Sequence, residues 1–446
     1  MLNLVTWLIL PVWILFLAPA SNAQPILQCL YTAPQSGPPP GFLVQGRDGN
    51  FHGTSAGVGT TSGNVFQLTP AGAFTLVGVL NGLNNGLAYG GDGFLYGTTA
   101  TGGSLNLGSI FKIGRFGLTT TVLNFDGTNG SRPLGIRAGM DGSLYGTVGT
   151  NAGGFSTGRH ISVFQFTTNG TLTILYTVTS GADFSSVPVQ APDGLLYGTM
   201  AVETIALPPL GSSYRVSIYR LSTSGDFQNL FSISNAPGPA GDLTFGPDGL
   251  LYGAISASPQ YPNAGYGSLF RISTDGAFTN LLTFNSSNGA DPEARLLLAS
   301  DNNIYGSTLR GGAGNHGTLF RITTNGDFST LLQFGGANGV GPVAPLIEAG
   351  DGNLYGTTQG ASLSSGTIFR LVQPTAVSNF SVSNGVAAIT WNSFSNGIYR
   401  VEYKLNLLDS TWTPLVQRVT ATDLTITIFD NLPTDPQRFY RVALLP

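Results

Sequence analysis

One seven-residue phrase, Asp-Gly-x-Leu-Tyr-Gly-Thr, returns along this chain at nearly constant spacing. It stands at Asp92–Thr98, Asp141–Thr147, Asp193–Thr199 and Asp351–Thr357, with looser copies starting at Asp48, Asp248 and Asp301. The steps between the seven aspartates are 44, 49, 52, 55, 53 and 50 residues. A second marker, an aromatic inside an alternating apolar run, recurs at Phe66, Phe111, Phe164, Tyr219, Phe270, Phe320 and Phe369. Two independent markers with the same count define seven units. A unit this short cannot cover both faces of its own sheet, so the units must shield one another by stacking.

Each unit reads as four short strands. Strand A ends before the Asp-Gly pair, with Leu43, Leu87, Ile136, Leu243, Leu296 and Leu346 five residues ahead of the aspartate. Asp-Gly is a preferred two-residue hairpin turn and leads into strand B, Leu-Tyr-Gly-Thr. Strand C carries the aromatic, and a second turn such as Thr324-Asn325-Gly326 leads to strand D, for example Phe328–Phe334. Small sheets repeated around an axis make a β-propeller. The expected fold is therefore all-β: a seven-bladed β-propeller over residues 24–373, followed by a small C-terminal β-sandwich over 374–446. The last unit stops after Phe369-Arg370-Leu371 without a strand D. The N-terminal run Pro25–Tyr31 is expected to supply it and close the ring. On this reading the buried aromatics outweigh the turns, and Phe320→Ala should harm folding more than Asp351→Ala.

Charge fits this packing. Only 18 Lys and Arg and 22 Asp and Glu occur in 446 residues, or 9%, against about 25% for an ordinary globular chain. The net charge of −4 and the presence of only two lysines, Lys112 and Lys404, argue against a nucleic-acid partner. The apolar run from Leu4 to Ala18, followed by Pro19-Ala20-Ser21-Asn22-Ala23, reads as a signal peptide cut after Ala23. The expected product is a secreted or extracytoplasmic protein with no membrane span after cleavage. Cys29 stands alone and is expected to be a small buried hydrophobe.

The four tryptophans, Trp7, Trp13, Trp391 and Trp412, all lie outside the repeats, unlike the signatures of WD40, kelch and quinoprotein propellers. The run Asp-Gly-Asn-Leu-Tyr-Gly-Thr-Thr at Asp351–Thr358, followed by Gly-Thr-Ile-Phe-Arg-Leu at Gly366–Leu371, resembles the GloVer tandem repeat of Gloeobacter and Verrucomicrobia, which marks choice-of-anchor exported proteins. The resemblance implies a bacterial, extracytoplasmic protein and carries over no catalytic residue. In the tail, Trp391, Tyr399-Arg400-Val401-Glu402-Tyr403, Asn431-Leu432-Pro433 and Phe439-Tyr440-Arg441-Val442 look like a fibronectin type III module, with both tryptophans in its core.

Candidate function falls on loops. The Asp-Gly and Asn-Gly turns share one end of the units and are nearly uniform, whereas the B–C and D–A loops at the other end vary. The longest is Met200–Arg215, with Val148–His160 and Ala254–Gly265 as neighbours. They bring Arg159, His160, Glu203, Tyr214, Tyr261 and Tyr266 into one candidate binding patch. The turn aspartates Asp48, Asp92, Asp141, Asp193, Asp248, Asp301 and Asp351 are read as structural, because one carboxylate per unit cannot gather the six or more oxygens calcium wants. Arg220, Arg271, Arg321 and Arg370, with Lys112, share a strand position and are expected to make ion pairs between blades. His52, His160 and His316 are too dispersed for a shared metal. Among the loop carboxylates Asp126, Asp183, Glu203, Asp242, Asp291 and Glu293, no spacing selects an acid–base pair. No nucleophile elbow or phosphate loop appears. The expectation is a non-catalytic, monomeric binding or scaffold protein of the bacterial surface, with no cofactor and an unidentified glycan or protein ligand. The alternative is a propeller-type carbohydrate hydrolase or lyase.

Overall fold

The computed structural model describes residues 25–34, 40–56, 62–82, 84–114, 118–149, 161–178, 183–184, 186–204, 213–257, 265–336, 338–360, 366–372, 377–393, 398–406, 408–409, 411–422, 425–432 and 438–445. The signal-peptide reading of residues 1–23 lies outside them. The described chain is all strand and turn, and no helix in it is long and apolar enough to cross a membrane.

Through residue 372 the strands form seven sheets among the described residues, each read A-B-C-D in chain order. Sheet 1 is Pro40–Gln45, Phe51–Ala56, Gly63–Leu68 and Phe74–Leu80. Sheets 2, 3, 5 and 6 repeat this antiparallel order. In sheet 4 strand A is broken in two, Asp183–Phe184 and Val189–Gln190, both paired with Leu196–Thr204. Sheet 7 takes Ile347–Glu348, Leu354–Thr358 and Thr367–Val372 in order, and its fourth place is filled by the N-terminal strand Ile26–Thr32. The Ala33 amide donates to Gly366 O at 2.9 Å, and Arg370 Nε donates to Gln28 Oε1 at 3.0 Å. On this outer strand Cys29 is exposed rather than buried. The apolar run around it alternates, and its one thiol falls on the outward side.

The core lies between sheets. Tyr145, Ile161, Val163 and Val178 of sheet 3 cluster with Leu196, Tyr219 and Leu221 of sheet 4, and Leu269, Phe284 and Tyr252 of sheet 5 cluster with Ile304, Phe320 and Ile322 of sheet 6. Outer-strand rings stack across the same boundaries: Tyr176 on Phe227 at 4.3 Å and Phe231 on Phe278 at 4.5 Å. The same contact joins the last sheet to the first, where Tyr31 stacks on Phe74 at 4.0 Å with planes 6° apart. Phe51 of sheet 1 meets Tyr355 of sheet 7 at 4.3 Å, and Thr357 Oγ1 donates to Gly41 O at 3.1 Å.

Inside each sheet, the glycine of strand B is the seat of the strand C aromatic. The two residues are register partners: Gly53 with Phe66, Gly97 with Phe111, Gly146 with Phe164, Gly198 with Tyr219, Gly253 with Phe270 and Gly306 with Phe320. A β-carbon on any of these glycines would strike the ring opposite, and the same holds for Gly356 under Phe369. The repeated glycine is therefore a packing requirement of these flat, buried sheets.

The Asp-Gly turns are not the two-residue hairpins expected. In all seven, the residue two before the aspartate accepts from the glycine position and donates to the residue two beyond the aspartate, as in Gly90, Gly93 and Phe94. This is a three-residue loop, a type I turn closed by one left-handed residue. That residue is glycine in six copies, for example Gly93 at φ 76°, and Asn302 at φ 63° in the seventh. The aspartate stays in ordinary backbone because its carboxylate is engaged. Asp301 Oδ1 accepts from the Asn303 amide at 3.0 Å, and Oδ2 accepts from Tyr305 Oη at 2.8 Å. The same Asp–Tyr bond ties Asp92, Asp141, Asp193 and Asp248 to the tyrosine four residues on. Burial, then these bonds, push the Tyr197 and Tyr252 phenols up to about 12.

Residues 377–445 form two further three-stranded sheets. One is Val377–Ser383, Val386–Asn392 and Thr425–Asn431; the other is Thr413–Thr420, Ile398–Lys404 and Phe439–Leu445. Ile389 and Trp391 of the first and Tyr399 and Val401 of the second share one core. Trp412 is half-buried, with Lys404 and Arg441 cations 4.9 and 4.5 Å from its ring.

Phe320→Ala should cost about 3–5 kcal/mol, Gly306→Ala about 1–3 kcal/mol and Asp351→Ala about 1 kcal/mol, read from urea midpoints of the folded chain. Adding Phe320→Leu to Gly306→Ala should cost less than the two single changes summed, because the smaller side chain makes room for the methyl. Strict additivity would mean that the glycine is not the seat of the ring.

Candidate functional site

The two ends of the sheets differ in what they leave available. At the A–B and C–D end the carboxylates are consumed by turn geometry. Burial alone would raise the Asp92 carboxyl, but hydrogen bonds from Lys112, Tyr96 and the Phe94 amide outweigh it and hold it below its usual range. Lys112 Nζ sits 2.8 Å from Asp92 Oδ2 in its own sheet. The expected ion pairs between blades are therefore not what this strand position makes. Arg271 reaches the next sheet but donates to a carbonyl, Thr324 O, at 2.7 Å, and Arg220 Nε donates to Gln228 Oε1 of its own sheet at 2.9 Å. The strand C cation thus meets a turn carboxylate of its own sheet at Lys112 and neutral acceptors at Arg220 and Arg271.

At the B–C and D–A end the expected patch is only partly in view. Arg159, His160 and Tyr261 lie outside the described residues. The described residues of the expected loop Met200–Arg215 are strand: Leu196–Thr204 pairs with Ser213–Leu221, with Met200 opposite Ser217 and Glu203 opposite Tyr214. Residues with alternating branched and polar side chains simply continue the ladder past the usual strand length. Tyr214 is half-buried and packs on the core shared by sheets 4 and 5, so it belongs to the scaffold. Tyr266 is exposed, at 45%, on the way into strand C of sheet 5.

Tyr266 leads to a group that the spacing of carboxylates did not select. Three D–A connections share one backbone form. In each, the residue before a proline has positive φ: Arg132 at 49°, Asp291 at 63° and Gly341 at 63°. Its amide donates to the residue before the strand C glycine: Arg132 to Leu107 O, Asp291 to Tyr266 O, Gly341 to His316 O. One scaffold thus presents arginine, aspartate or glycine at the same place. Glycine costs nothing there; a side chain before proline at positive φ is strained by about 1–3 kcal/mol.

Asp291 is only 2% exposed. Its Oδ1 accepts from the Ala257 amide at 3.2 Å, and its Oδ2 has no hydrogen-bond partner among the described residues. Burial raises its carboxyl above the usual range, against the charge of Arg310 and the Ala257 bond. Glu293, two residues on, reaches solvent but is crowded by protein, which also raises its carboxyl; Asp291 adds to the rise and Arg310 opposes it. Arg310 is exposed, and its backbone bridges to Ala290 beside Asp291. Further along the A strands, Arg137 Nη1 donates to Leu243 O at 2.7 Å, and Asp242 Oδ1 accepts from the Val187 amide at 2.8 Å. Burial, with Arg295 nearby, brings the Arg137 guanidinium down to about 9, still charged at neutral pH. Asp126 is different: it caps its own turn through the Thr128 and Asn129 amides. Among the described residues no group of three metal-ligating side chains converges. The readable signal for Asp291 was the repeated Gly-x-x-Pro frame, in which 289–292 and 339–342 differ at the residue before proline.

Residues 209–397 match the Gloeobacter/Verrucomicrobia repeat. The match takes in the end of sheet 4, sheets 5 to 7 and the start of the C-terminal segment, and so includes the Asp291 group. No curated protein sequence matches the chain. Solved structures with the same kind of fold include an oligogalacturonate lyase in complex with manganese, at 12% identity and TM-score 0.55, covering 82% of this chain and 97% of that one. A puromycin hydrolase matches at 13% identity and TM-score 0.51, covering 80% and 59%. The WD40 β-propeller domain of Doa1 matches at 10% identity and TM-score 0.48, covering 77% and 97%. At these identities the likeness is one of fold, that of propeller-like repeat proteins.

A carboxyl raised by folding opposes stability above its folded pKa, and that cost vanishes below the unfolded value of about 3.9. Asp291→Gly should therefore stabilise the fold at pH 7 by about 1–2 kcal/mol, seen as a higher urea midpoint. The gain should shrink as pH falls through the folded pKa toward 3.9. A gain that does not change with pH would mean that the carboxyl is not perturbed.

Proposed function

We propose that this chain is an exported, non-catalytic binding or scaffold protein of the bacterial cell surface or envelope that takes a glycan or protein on its B–C and D–A loop end. In this reading the seven sheets are the blades of one propeller, closed when the strand Ile26–Thr32 completes the seventh, and residues 374–446 are a fibronectin type III-like sandwich. Closure is supported by the Tyr31–Phe74 stack, which repeats the Tyr176–Phe227 contact between consecutive sheets. Export is supported by the leader pattern of residues 1–23 and by the repeat family. The protein works as a monomer without a cofactor, and nucleic acid is not its partner.

The observation that carries the functional reading is the contrast between the two ends. One end spends its aspartates on identical turns. The other keeps one backbone form and changes its chemistry from Arg132 to Asp291 to Gly341, which is how a rigid scaffold presents recognition groups.

One observation favours a carbohydrate hydrolase or lyase instead: two neighbouring carboxyls, Asp291 and Glu293, are both raised, and perturbed carboxyls cluster at catalytic sites. Release of reducing sugar or unsaturated product from polysaccharides, abolished by Glu293→Gln and unaffected by Glu203→Gln, would establish that reading over ours.

Replacing residues 205–212 with Asn-Gly shortens the connection between the two long strands Leu196–Thr204 and Ser213–Leu221 and leaves both in place. Capture of envelope glycans or proteins should fall at least tenfold with no change in urea midpoint. Full capture by the shortened protein would move the binding face elsewhere.

A further inference from the structure

Leu408 is the most exposed large apolar side chain among the described residues, at 91%, and Leu405, three residues before it, is exposed as well. The turn that carries them, between Lys404 and Thr413, is built rather than slack. Asn406 Oδ1 accepts from the Leu408 amide at 3.0 Å, Asn406 O accepts from the Asp409 amide at 3.1 Å, and Lys404 Nζ donates to Asp409 O. Holding leucine out in water in this way gains nothing for folding.

Single exposed leucines are common; what stands behind this pair sets it apart. Trp412 closes the same turn, half-buried, with Lys404 Nζ 4.9 Å and the Arg441 guanidinium 4.5 Å from its ring. Arg441 lies opposite Glu402, two residues behind the turn, and Arg400 lies two residues further along the same strand. Both arginines pair with the Glu402 carboxylate, Arg441 Nε at 2.5 Å and Arg400 Nε at 3.0 Å, yet their side chains stay 44% and 39% exposed. The Arg400 Nε is itself sealed from solvent, so the exposed part of that side chain is its stem and terminal fork. Glu402 is buried, and Asp409 turns its carboxylate to the Asn406 amide at 3.3 Å. In this sheet and its turn, Arg400, Lys404, Arg441 and the exposed Arg418 thus meet only Glu402 and Asp409, and the balance is positive.

An apolar tip, then an indole, then cations follow the depth profile of an anionic bilayer surface: acyl boundary, interface, lipid phosphates. A soluble polyanion would have no use for the leucines, and a second copy of the chain would set these cations against themselves. We propose that this turn docks on a membrane surface carrying anionic phospholipid. Leu405 and Leu408 enter the acyl boundary, Trp412 sits at the interface, and Lys404, Arg441 and Arg400 meet lipid phosphates. The inference rests on the envelope reading above for where such a surface is met, and not on the loop-end ligand.

The test uses the chain from Gln24, which holds every described residue and lacks the apolar run Leu4–Ala18 that would bind vesicles by itself. It should sediment with vesicles of phosphatidylcholine and phosphatidylglycerol in equal parts, and several-fold less with phosphatidylcholine alone. Leu408→Ser should lose at least tenfold in partition with an unchanged melting temperature. Tryptophan emission should move to shorter wavelength on the mixed vesicles, and Trp412→Phe should abolish the shift, since Trp391 is already in the core. The protein shortened at residues 205–212 should bind vesicles as the wild type does, so loop-end capture and membrane docking are read separately.

Binding to neither vesicle, equal partition into both, or undiminished binding by Leu408→Ser overturns the proposal and leaves the loop-end reading standing. Retention by heparin without vesicle binding overturns it in favour of a soluble polyanion, and a dimer that Leu408→Ser dissociates overturns it in favour of a second copy. Loss of vesicle binding in the protein shortened at 205–212 moves the docking surface to the loop end and overturns it too.

Discussion

Seven rings pressed onto seven glycines are what the sheets depend on. A four-stranded sheet with both faces buried must let its neighbours come close, and each strand C aromatic achieves this by lying flat across the strand B backbone. The same ring also packs on the preceding sheet, as Tyr219 does in the core shared by sheets 3 and 4. Charge has almost no place in such an arrangement, because each face meets apolar surface. That is why the Lys, Arg, Asp and Glu content is so low.

The turn chemistry serves the same end. An aspartate that caps its own loop and binds the tyrosine four residues later fixes the first residues of strand B. His52 takes the tyrosine place in the first unit and lies 3.8 Å from Asp48. The opposite end is under no such obligation. There one shared backbone bond recurs in three D–A connections, and the side chain at the pre-proline position differs from unit to unit.

The architecture was legible because each unit repeats its burial pattern, and repetition turns a weak strand signal into a strong one. The strand A positions, the seated aromatics and the N-terminal strand of sheet 7 could all be read from spacing. What could not be read had physical causes. The Asp-Gly pair suits two turn types, and the choice depends on a carboxylate–tyrosine bond that no dipeptide preference contains. Met200 and Arg215 looked like loop because strands seldom run to the nine residues of Leu196–Thr204. Asp291 and Glu293 were visible as carboxylates, but the buried state of the first depends on Ala257, 34 residues earlier. Cys29 was misjudged because an apolar run on an outermost strand has one side facing water.

The place of Ile26–Thr32 beside Thr367–Val372 has a consequence for how the molecule comes into being. The hydrogen bond from Arg370 to Gln28 spans 342 positions of chain, so the earliest strand has no sheet to join until nearly all the others are made. During synthesis it travels as an unpaired edge, open to mispairing with any other exposed strand. Its short length and its interspersed Gln28, Cys29 and Thr32 limit that hazard. Final assembly is then a single late docking event, which ties the durability of every earlier sheet to the arrival of seven residues.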